Sequence, residues 1–236
     1  MMSSLPEAYR AVVFGVSGAI GQALVQLLQT DPRCALVLGV SRQGTTCGKP
    51  GLDLLHEPSI AACAQALAGQ GPFHLVLDAT GALSLNGQGP EKRLDELSAP
   101  QLLAAMQLNA VGPALLLKHF APWLATHERV IWGKLSARVG SIEDNRKGGW
   151  YGYRAAKSAL NQLLQTAAIE LHRRRPALVL AALQPGTVQS ALSQPFVGDN
   201  AMHPQDAAQR LLAVLNALQP TGRAQFVDHQ GQHIPW

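Results

Sequence analysis

The sequence predicts an α/β fold of the Rossmann type, in which a doubly wound parallel sheet carries helices on both faces. Short runs rich in Val, Leu and Ile alternate with longer amphipathic segments along the chain. Continuous apolar runs suit strands that are buried on both faces, and strand-helix alternation is typical of parallel sheets. A glycine-rich turn directly after the first run is the second indication, because it joins a strand to a helix.

Each predicted element follows from this alternation. We expect strands at residues 11–14, 35–40, 73–77, 130–135 and 178–183. We expect helices at residues 20–29, 59–67, 99–119, 151–172 and 204–218. Loops rich in Gly, Pro and polar residues separate them at 43–51, 83–90 and 140–149, and none has the character of an interdomain linker. The apolar pattern continues to Val227 without repeats, so residues 1–236 are predicted to form a single domain.

Composition excludes several classes of protein. The 236 residues are 47% hydrophobic and 14% charged, as expected for one globular domain. The net charge is +4, yet the only dense basic cluster, residues 173–175, falls at a helix end, so nucleic-acid binding is not expected. Without a leader-like segment or a run of about 18 apolar residues, we expect a cytoplasmic protein with no membrane partner. Cys34, Cys47 and Cys63 lack ligand spacing, which indicates reduced thiols and no metal site.

The turn after the first strand has the pattern G-x-x-G-x-x-G. Glycines allow a tight turn and let the backbone approach a pyrophosphate, whose charge meets free N–H groups where a helix begins. A plain turn is the alternative, but the placement between a strand and a helix favours a nucleotide site. The candidate residues are Gly15, Ser17, Gly18, Ala19, Ile20 and Gly21.

The second strand ends in Ser41 and Arg42, a position that bears on the choice of nucleotide. An acidic residue there commonly binds the ribose 2′-hydroxyl of NAD, whereas an arginine accommodates a 2′-phosphate. The pair therefore favours NADP(H) over NAD(H), although an arginine at a strand end is also a common surface residue.

Tyr153 and Lys157 stand four residues apart at the start of the helix predicted at 151–172. This spacing puts the phenol and the ammonium on one helix face, one turn apart. A nearby ammonium favours the phenolate and lowers the pKa of tyrosine from about 10, which suits proton exchange with a carbonyl or alcohol oxygen. An exposed pair that only supports the helix is the alternative interpretation.

Together these motifs resemble the short-chain dehydrogenase/reductase family, from Val12 to the C-terminus. The resemblance implies that Tyr153 and Lys157 are catalytic and that Lys157 also binds the nicotinamide ribose. A closer resemblance is to the C-factor-like branch of this family, whose members are sometimes called cell-cell signalling proteins. The residues that carry this closer resemblance are 136–142, 148–154 and 185–188, Pro195-Phe196 and the terminal Pro235-Trp236.

The resemblance also implies contacts along the cofactor. Asp53 and Leu54 correspond to residues that bind near the adenine after the family's third strand, with a turn-capping aspartate as the alternative. Ala79, Thr80 and Gly81 occupy the place of the N-N-A-G segment beside the ribose, without its asparagines.

Two further motifs of the family concern the nicotinamide end. Pro185, Gly186, Thr187 and Val188 resemble the P-G-x-V turn that holds the nicotinamide. Asn109 resembles the asparagine that bends a long helix and anchors a water in the proton relay. A side-chain amide inside an apolar helix requires a structural or functional role of this kind, because a buried amide without hydrogen-bond partners costs about 1–3 kcal/mol.

One position departs from the family pattern. The family's catalytic serine ends a strand, and Ala137 is the residue that aligns with it here. Ser136 and Ser141 are the candidate replacements, or neither serves, and each also suits a serine that bonds its own loop. Ser141 is preferred because it lies closer in sequence to Tyr153.

The resemblance implies reduction of a ketone or aldehyde to an alcohol, or the reverse, by a homodimer or homotetramer that binds a small-molecule carbonyl or alcohol substrate. Residues 189–203 are expected to form a substrate lid. An NAD(P)-binding signalling or sensor protein with little turnover is the alternative, and a sugar epimerase or dehydratase is a weaker one.

Overall fold

The structure, a computed structural model, describes residues 2–85, 87–190 and 201–236. Its strands are β1 (Tyr9–Phe14), β2 (Cys34–Val40), β3 (Leu75–Asp78), β4 (Val130–Leu135), β5 (Leu178–Gln184) and β6 (Ala224–Asp228). They form one parallel sheet in the order β2-β1-β3-β4-β5-β6. The order reverses between β1 and β3, and the crevice at such a switch point is where α/β sheets bind ligands.

Helices cover both faces of this sheet, which confirms the predicted Rossmann-type α/β class. They are α1 (Ala19–Gln29), α2 (Glu57–Leu67), α3 (Ala99–Met106), α4 (Gly112–Phe120), α5 (Tyr151–His172) and α6 (Pro204–Ala217). α1 and α6 pack together on one face, while α2, α4 and α5 lie on the other. Consecutive side chains of β1 alternate between the two cores, with Val12 and Phe14 in one and Ala11 and Val13 in the other.

The long helix predicted at residues 99–119 is interrupted. A π-helical turn, Gln107–Val111, separates α3 from α4 and places Asn109 at its centre. A π-turn adds one residue to the helix and often marks a functional site. The whole helical run Ala99–Trp123 is long and apolar enough to cross a membrane by length and composition. Here α3 packs against α5 and α4 against α2 and α5, and these contacts account for its apolar character.

The segment between β2 and α2 differs from what the resemblance implied. No strand occurs there, because the chain folds back on itself through a bridge from Val40 to Thr45 and a hydrogen bond from the Gly39 N–H to Thr46 Oγ1 at 3.0 Å. Asp53 therefore does not follow a third strand. It caps a turn instead, accepting the Leu55 N–H at 3.0 Å.

Candidate active site

The loops at the carboxyl ends of the strands enclose a cavity of about 900 Å³. Its wall combines the loop after β1, the segment after β3, the end of β4, the start of α5 and the turn after β5. Most of the candidate residues therefore meet in one place. Those that line the cavity are Ser17, Gly18, Ala19, Ile20, Gly21, Ala79, Thr80, Gly81, Ser136, Tyr153, Lys157, Pro185, Gly186, Thr187 and Val188.

Two glycines allow the loop after β1 to fold as it does. Gly15 has a φ of +82°, and a Cβ built on it would lie 2.9 Å from the Ala79 carbonyl carbon. A Cβ on Gly21 would lie 2.3 Å from Gly15 O, so helix α1 packs directly on the turn. α1 begins after Gly18 without a side-chain cap, which leaves its first N–H groups free for an anion. The cradle fits the phosphates of a dinucleotide.

Six predicted cofactor residues do not line the cavity, namely Gly15, Asn109, Ser41, Arg42, Asp53 and Leu54. Ser41 and Arg42 stand at the carboxyl end of β2, where Ser41 Oγ donates to Gly44 O at 3.2 Å and Arg42 is exposed. Asp53 and Leu54 lie in the turn before α2, and Leu54 is buried against Gly112. Ser41, Arg42, Asp53 and Leu54 all lie in the folded-back segment between β2 and α2.

A buried ion pair lies beneath the segment after β3. Lys134 Nζ is 3.0 Å from Asp78 Oδ1, and both side chains are almost completely inaccessible. The same ammonium donates to Thr80 O at 2.6 Å and Thr80 Oγ1 at 3.1 Å. Asp78 Oδ1 also accepts the Thr80 N–H at 2.9 Å. The pair thus fixes Thr80 in the cavity wall.

Tyr153 and Lys157 lie on one face of α5, as their spacing predicts. Lys157 Nζ is 5.5 Å from the Tyr153 ring centroid and donates to Leu135 O at 3.0 Å. Burial raises the pKa of Tyr153 to about 12, which corrects the expectation of a pKa lowered by Lys157. Burial and the nearby Lys134 ammonium hold the pKa of Lys157 well below its ordinary value, so its charge is a weaker influence on the phenol.

Asn109 is fully buried and fully hydrogen-bonded. Its Oδ1 accepts the Ala82 N–H at 3.0 Å, while Nδ2 donates to Ala82 O at 3.0 Å and Ala105 O at 3.2 Å. A Cβ on Gly81 would come within 3.1 Å of Asn109 Oδ1 and 3.5 Å of Lys157 Nζ. Asn109 therefore clamps the segment that follows β3 beside Lys157.

The two candidate serines occupy different surroundings. Ser136 lines the cavity, and its hydroxyl donates to Asn161 Oδ1 at 2.7 Å. Ser141, the preferred candidate, does not line it. Its Oγ accepts the Asp144 N–H at 3.0 Å and donates to Trp236 O at 3.4 Å, because a short helical turn at Arg138–Gly140 carries it away from Tyr153. Ala137 itself faces the cavity.

Sequence and structure comparisons agree on one family. No family profile matches the chain. The short-chain dehydrogenase srdF of Neurospora crassa is 27% identical over 254 residues, covering 95% of this chain and 97% of that protein. C-signal of Myxococcus xanthus is 29% identical over 143 residues, which is 61% of this chain and 83% of that protein.

Among solved structures, the NADPH-bound carbonyl reductase from chicken fatty liver superposes with a TM-score of 0.84 at 19% identity, covering 99% of this chain and 97% of that one. An NADP-bound putative short-chain dehydrogenase/reductase from Burkholderia multivorans gives 0.81 at 22% identity, with 97% and 100% covered. The chain is thus similar in sequence to a short-chain dehydrogenase over nearly its whole length, and similar in fold to solved short-chain dehydrogenase/reductase structures. The match to C-signal agrees with the C-factor-like branch that the motifs around Tyr153 resemble.

The turn after β5 holds the two ends of the segment that is predicted to form a lid. Thr187 O accepts the Met202 N–H at 2.8 Å, and the Gln189 N–H donates to Met202 O at 2.9 Å. The predicted lid at 189–203 is therefore anchored at both ends. Residues 191–200, including Pro195 and Phe196, lie outside the described part of the chain.

Sequence reasoning missed Glu91, which organises the start of α5. Its carboxylate is buried, and Oε2 accepts the Gly152 N–H at 3.0 Å, while its carbonyl oxygen accepts the Trp150 N–H. Trp150 has left-handed backbone angles, φ 55° and ψ 42°, directly before the helix. No pattern near Glu91 in the sequence points to α5, because the contact spans 61 residues.

Lys134 was also missed, although a signal was present. A charged residue inside a run expected to be buried on both faces requires a partner of opposite charge. Asp78 at the end of the neighbouring strand is that partner.

Proposed function

We propose that this chain is an NADP(H)-dependent oxidoreductase that reduces a ketone or aldehyde to an alcohol, or catalyses the reverse. The observation that carries the proposal is the meeting of the glycine cradle with Tyr153 and Lys157 in one cavity. Curated relatives that are named dehydrogenases support an oxidoreductase. Solved neighbours with NADP or NADPH support the choice of cofactor.

Different residues would bind different parts of the cofactor. The N–H groups at the start of α1 would hold the phosphates, and the backbone of Thr80 and Gly81 would lie beside the ribose. Thr187 and Val188 would meet the nicotinamide. When bound, the cofactor supplies or accepts the hydride. Ser41 and Arg42 at the end of β2 would meet a 2′-phosphate, which makes NADP(H) the preferred form.

Tyr153 would act as the general acid in the reductive direction. With a pKa of about 12 its hydroxyl keeps its proton at neutral pH and can give it to a carbonyl oxygen. As the proton leaves, the Lys157 ammonium beside the ring stabilises the phenolate that forms. Asn109 would hold the Gly81 segment in place and help to anchor water that restores the proton.

Ala137 leaves the substrate oxygen without the family's serine. Ser136 is the replacement that we favour, because its hydroxyl lies in the cavity wall, whereas Ser141 bonds its own loop. A missing hydroxyl weakens orientation of the reacting oxygen more than it affects hydride transfer.

A sensor that binds NADP(H) with little turnover is the second candidate. Ala137 and the Asp78–Lys134 pair, which stands where the family has an asparagine segment, favour it. The complete set of Tyr153, Lys157 and Asn109 favours the enzyme.

We also expect a homodimer or homotetramer in the cytoplasm. α5 and the helical run that contains α3 are the elements through which short-chain dehydrogenases/reductases pair, and each carries exposed apolar side chains, Leu103 on α3 and Leu163 and Ile169 on α5.

The proposal is tested by calorimetric titration with NADPH and, in parallel, NADH, followed by a carbonyl screen that monitors NADPH absorbance. We expect tight binding of NADPH, weaker binding of NADH, and consumption of NADPH by at least one aldehyde or ketone. Binding without turnover of any carbonyl would favour the sensor. Failure of both nucleotides to bind would overturn both candidates.

A further inference from the structure

The charged side chains that line the cavity, within the described ranges, are all cationic. They are Arg138, Lys147, Arg154 and Lys157. No carboxylate from residues 2–85, 87–190 or 201–236 contributes to the wall. Lys157 lies against Tyr153, so the partners of the other three decide which of them can act on whatever occupies the space beside Tyr153.

Arg154 is partly buried and makes no direct ion pair with a described residue, although the Asp144 carboxylate acts on its charge from a longer distance. Its Nε donates to Gly149 O at 2.8 Å and Nη2 donates to Gly148 O at 3.0 Å. Both partners are neutral carbonyls, and no carboxylate of the described residues lies within ion-pair distance. The two bonds hold the guanidinium in position at the cavity, where no carboxylate of the described residues bonds to it directly.

Lys147 and Arg138 differ in their partners. Lys147 is exposed and makes no hydrogen bond or ion pair to any other part of the described chain. Arg138 is paired with Asp144 at 3.5 Å and with Asp228 at 3.3 Å, so its charge is already balanced. Lys147 and Arg154 are thus the two cavity cations outside the Tyr153–Lys157 pair that make no direct ion pair among these residues.

We propose that Arg154, assisted by Lys147, binds a carboxylate of the substrate, so that the carbonyl compound reduced here is an anion. This inference rests on the proposed function. Arg154 directly follows Tyr153 in α5, and Lys147 lies in the loop that leads into α5. Both line the cavity together with Tyr153 at the start of α5, and Arg154 is bonded to Gly149 and Gly148 beside Lys147, whereas the free N–H groups of α1 would serve phosphates. Leu83, Val139 and Trp150 provide apolar wall for the body of the substrate.

The test compares two aldehydes, 4-carboxybenzaldehyde and methyl 4-formylbenzoate, which differ in charge and by one methyl group. For the wild-type protein we expect kcat/KM to be at least about tenfold higher for the acid, because charge-assisted hydrogen bonds to guanidinium are strong. R154M should reduce kcat/KM for the acid about tenfold more than for the ester, and K147M should act in the same direction with a smaller effect. Added salt should weaken the preference.

Arg146 offers a matched control. It is exposed and neighbours Lys147, but it donates to Glu143 O and Asn145 O and does not line the cavity. R146M should leave the acid-to-ester ratio unchanged. An equal loss for both aldehydes in R154M, or no preference in the wild type, would overturn the inference while leaving the proposed function standing.

NADPH affinity separates the other outcomes. Weaker NADPH binding in R154M would show that the cation serves the cofactor, and this would also overturn the inference. If NADPH binds but neither aldehyde reacts, titration of the NADP⁺-loaded protein with both compounds decides. Tighter binding of the acid supports the inference and equal binding refutes it. Absence of NADPH binding would instead sink the proposed function, and the inference with it.

Discussion

At the glycine-loop end of the cavity the site is made of backbone, whereas at the Tyr153 end it is made of buried charged side chains. At the first end Gly15 and Gly21 bring main-chain atoms close together and leave N–H groups of α1 free. At the second, the ionisable side chains of Asp78, Lys134 and Lys157 are buried close together, and burial with the nearby Lys134 lowers the pKa of Lys157.

Because of this difference, the two ends of the cavity are sensitive to different kinds of substitution. The backbone end depends on the absence of side-chain bulk, so an added methyl group damages it. The charged end depends on a balance of charges in a medium of low dielectric, where removing one partner leaves another uncompensated. Substitutions at the two ends should therefore separate binding, turnover and stability.

The largest effect is expected from Y153F. Removal of the hydroxyl takes away the proton donor, so kcat should fall by about 10²- to 10⁴-fold, while NADPH binding stays near normal. Steady-state kinetics and calorimetry measure the two quantities. Y151F is the control, since Tyr151 starts the same helix but does not line the cavity. Turnover retained in Y153F would remove Tyr153 from the mechanism.

K134M should be the most damaging change to stability. It leaves the Asp78 carboxylate buried without its ammonium, and breaking a buried pair costs about 3–5 kcal/mol. Urea unfolding measures the loss. The exposed pair between Lys118 and Glu57 is the comparison, and K118M should cost about 0–1 kcal/mol.

The double variant D78L/K134M sharpens this prediction, because replacing both partners removes the uncompensated charge and should restore part of the lost stability. A K134M protein as stable as the wild type would show that the pair contributes nothing to the folded state.

G21A should act at the backbone end. The new Cβ would meet Gly15 O at 2.3 Å, so the turn must shift, at a cost of about 1–3 kcal/mol in folding or in NADPH affinity. Kd for NADPH and the urea midpoint report the two contributions. G69A is the control, since a Cβ on Gly69 meets nothing within 4 Å. Unchanged stability and unchanged NADPH affinity in G21A would contradict the steric argument.

E91Q should give the smallest effect. It keeps an oxygen for the Gly152 N–H and removes only the charge at the start of α5, where a carboxylate stabilises a helix by about 1 kcal/mol. We expect a lower urea midpoint and a fall of a few-fold in kcat as Tyr153 becomes less well fixed. E170Q near the other end of α5 should be close to neutral, within about 0.5 kcal/mol. If E91Q and E170Q behave alike, Glu91 has no special role.

Patterns of short range predicted the parts of the site that are local. The glycine spacing of the loop after β1 is a steric requirement of a strand-to-helix turn, and the four-residue spacing of Tyr153 and Lys157 follows from helix geometry. Asn109 was identified through the family resemblance, and the π-turn and the Ala82 contacts account for its buried amide.

The sequence by itself determined the α/β class, the glycine loop and the shared helix face of Tyr153 and Lys157, because steric and periodic rules act over a few residues. Only the tertiary structure decided what lies opposite them. Lys134 meets Asp78 across neighbouring strands, Glu91 reaches α5 from a distant loop, and Ser141 turns towards Trp236 instead of the cavity. Such contacts join residues that are 56, 61 and 95 positions apart, so they depend on strand order and helix packing, which no local pattern encodes.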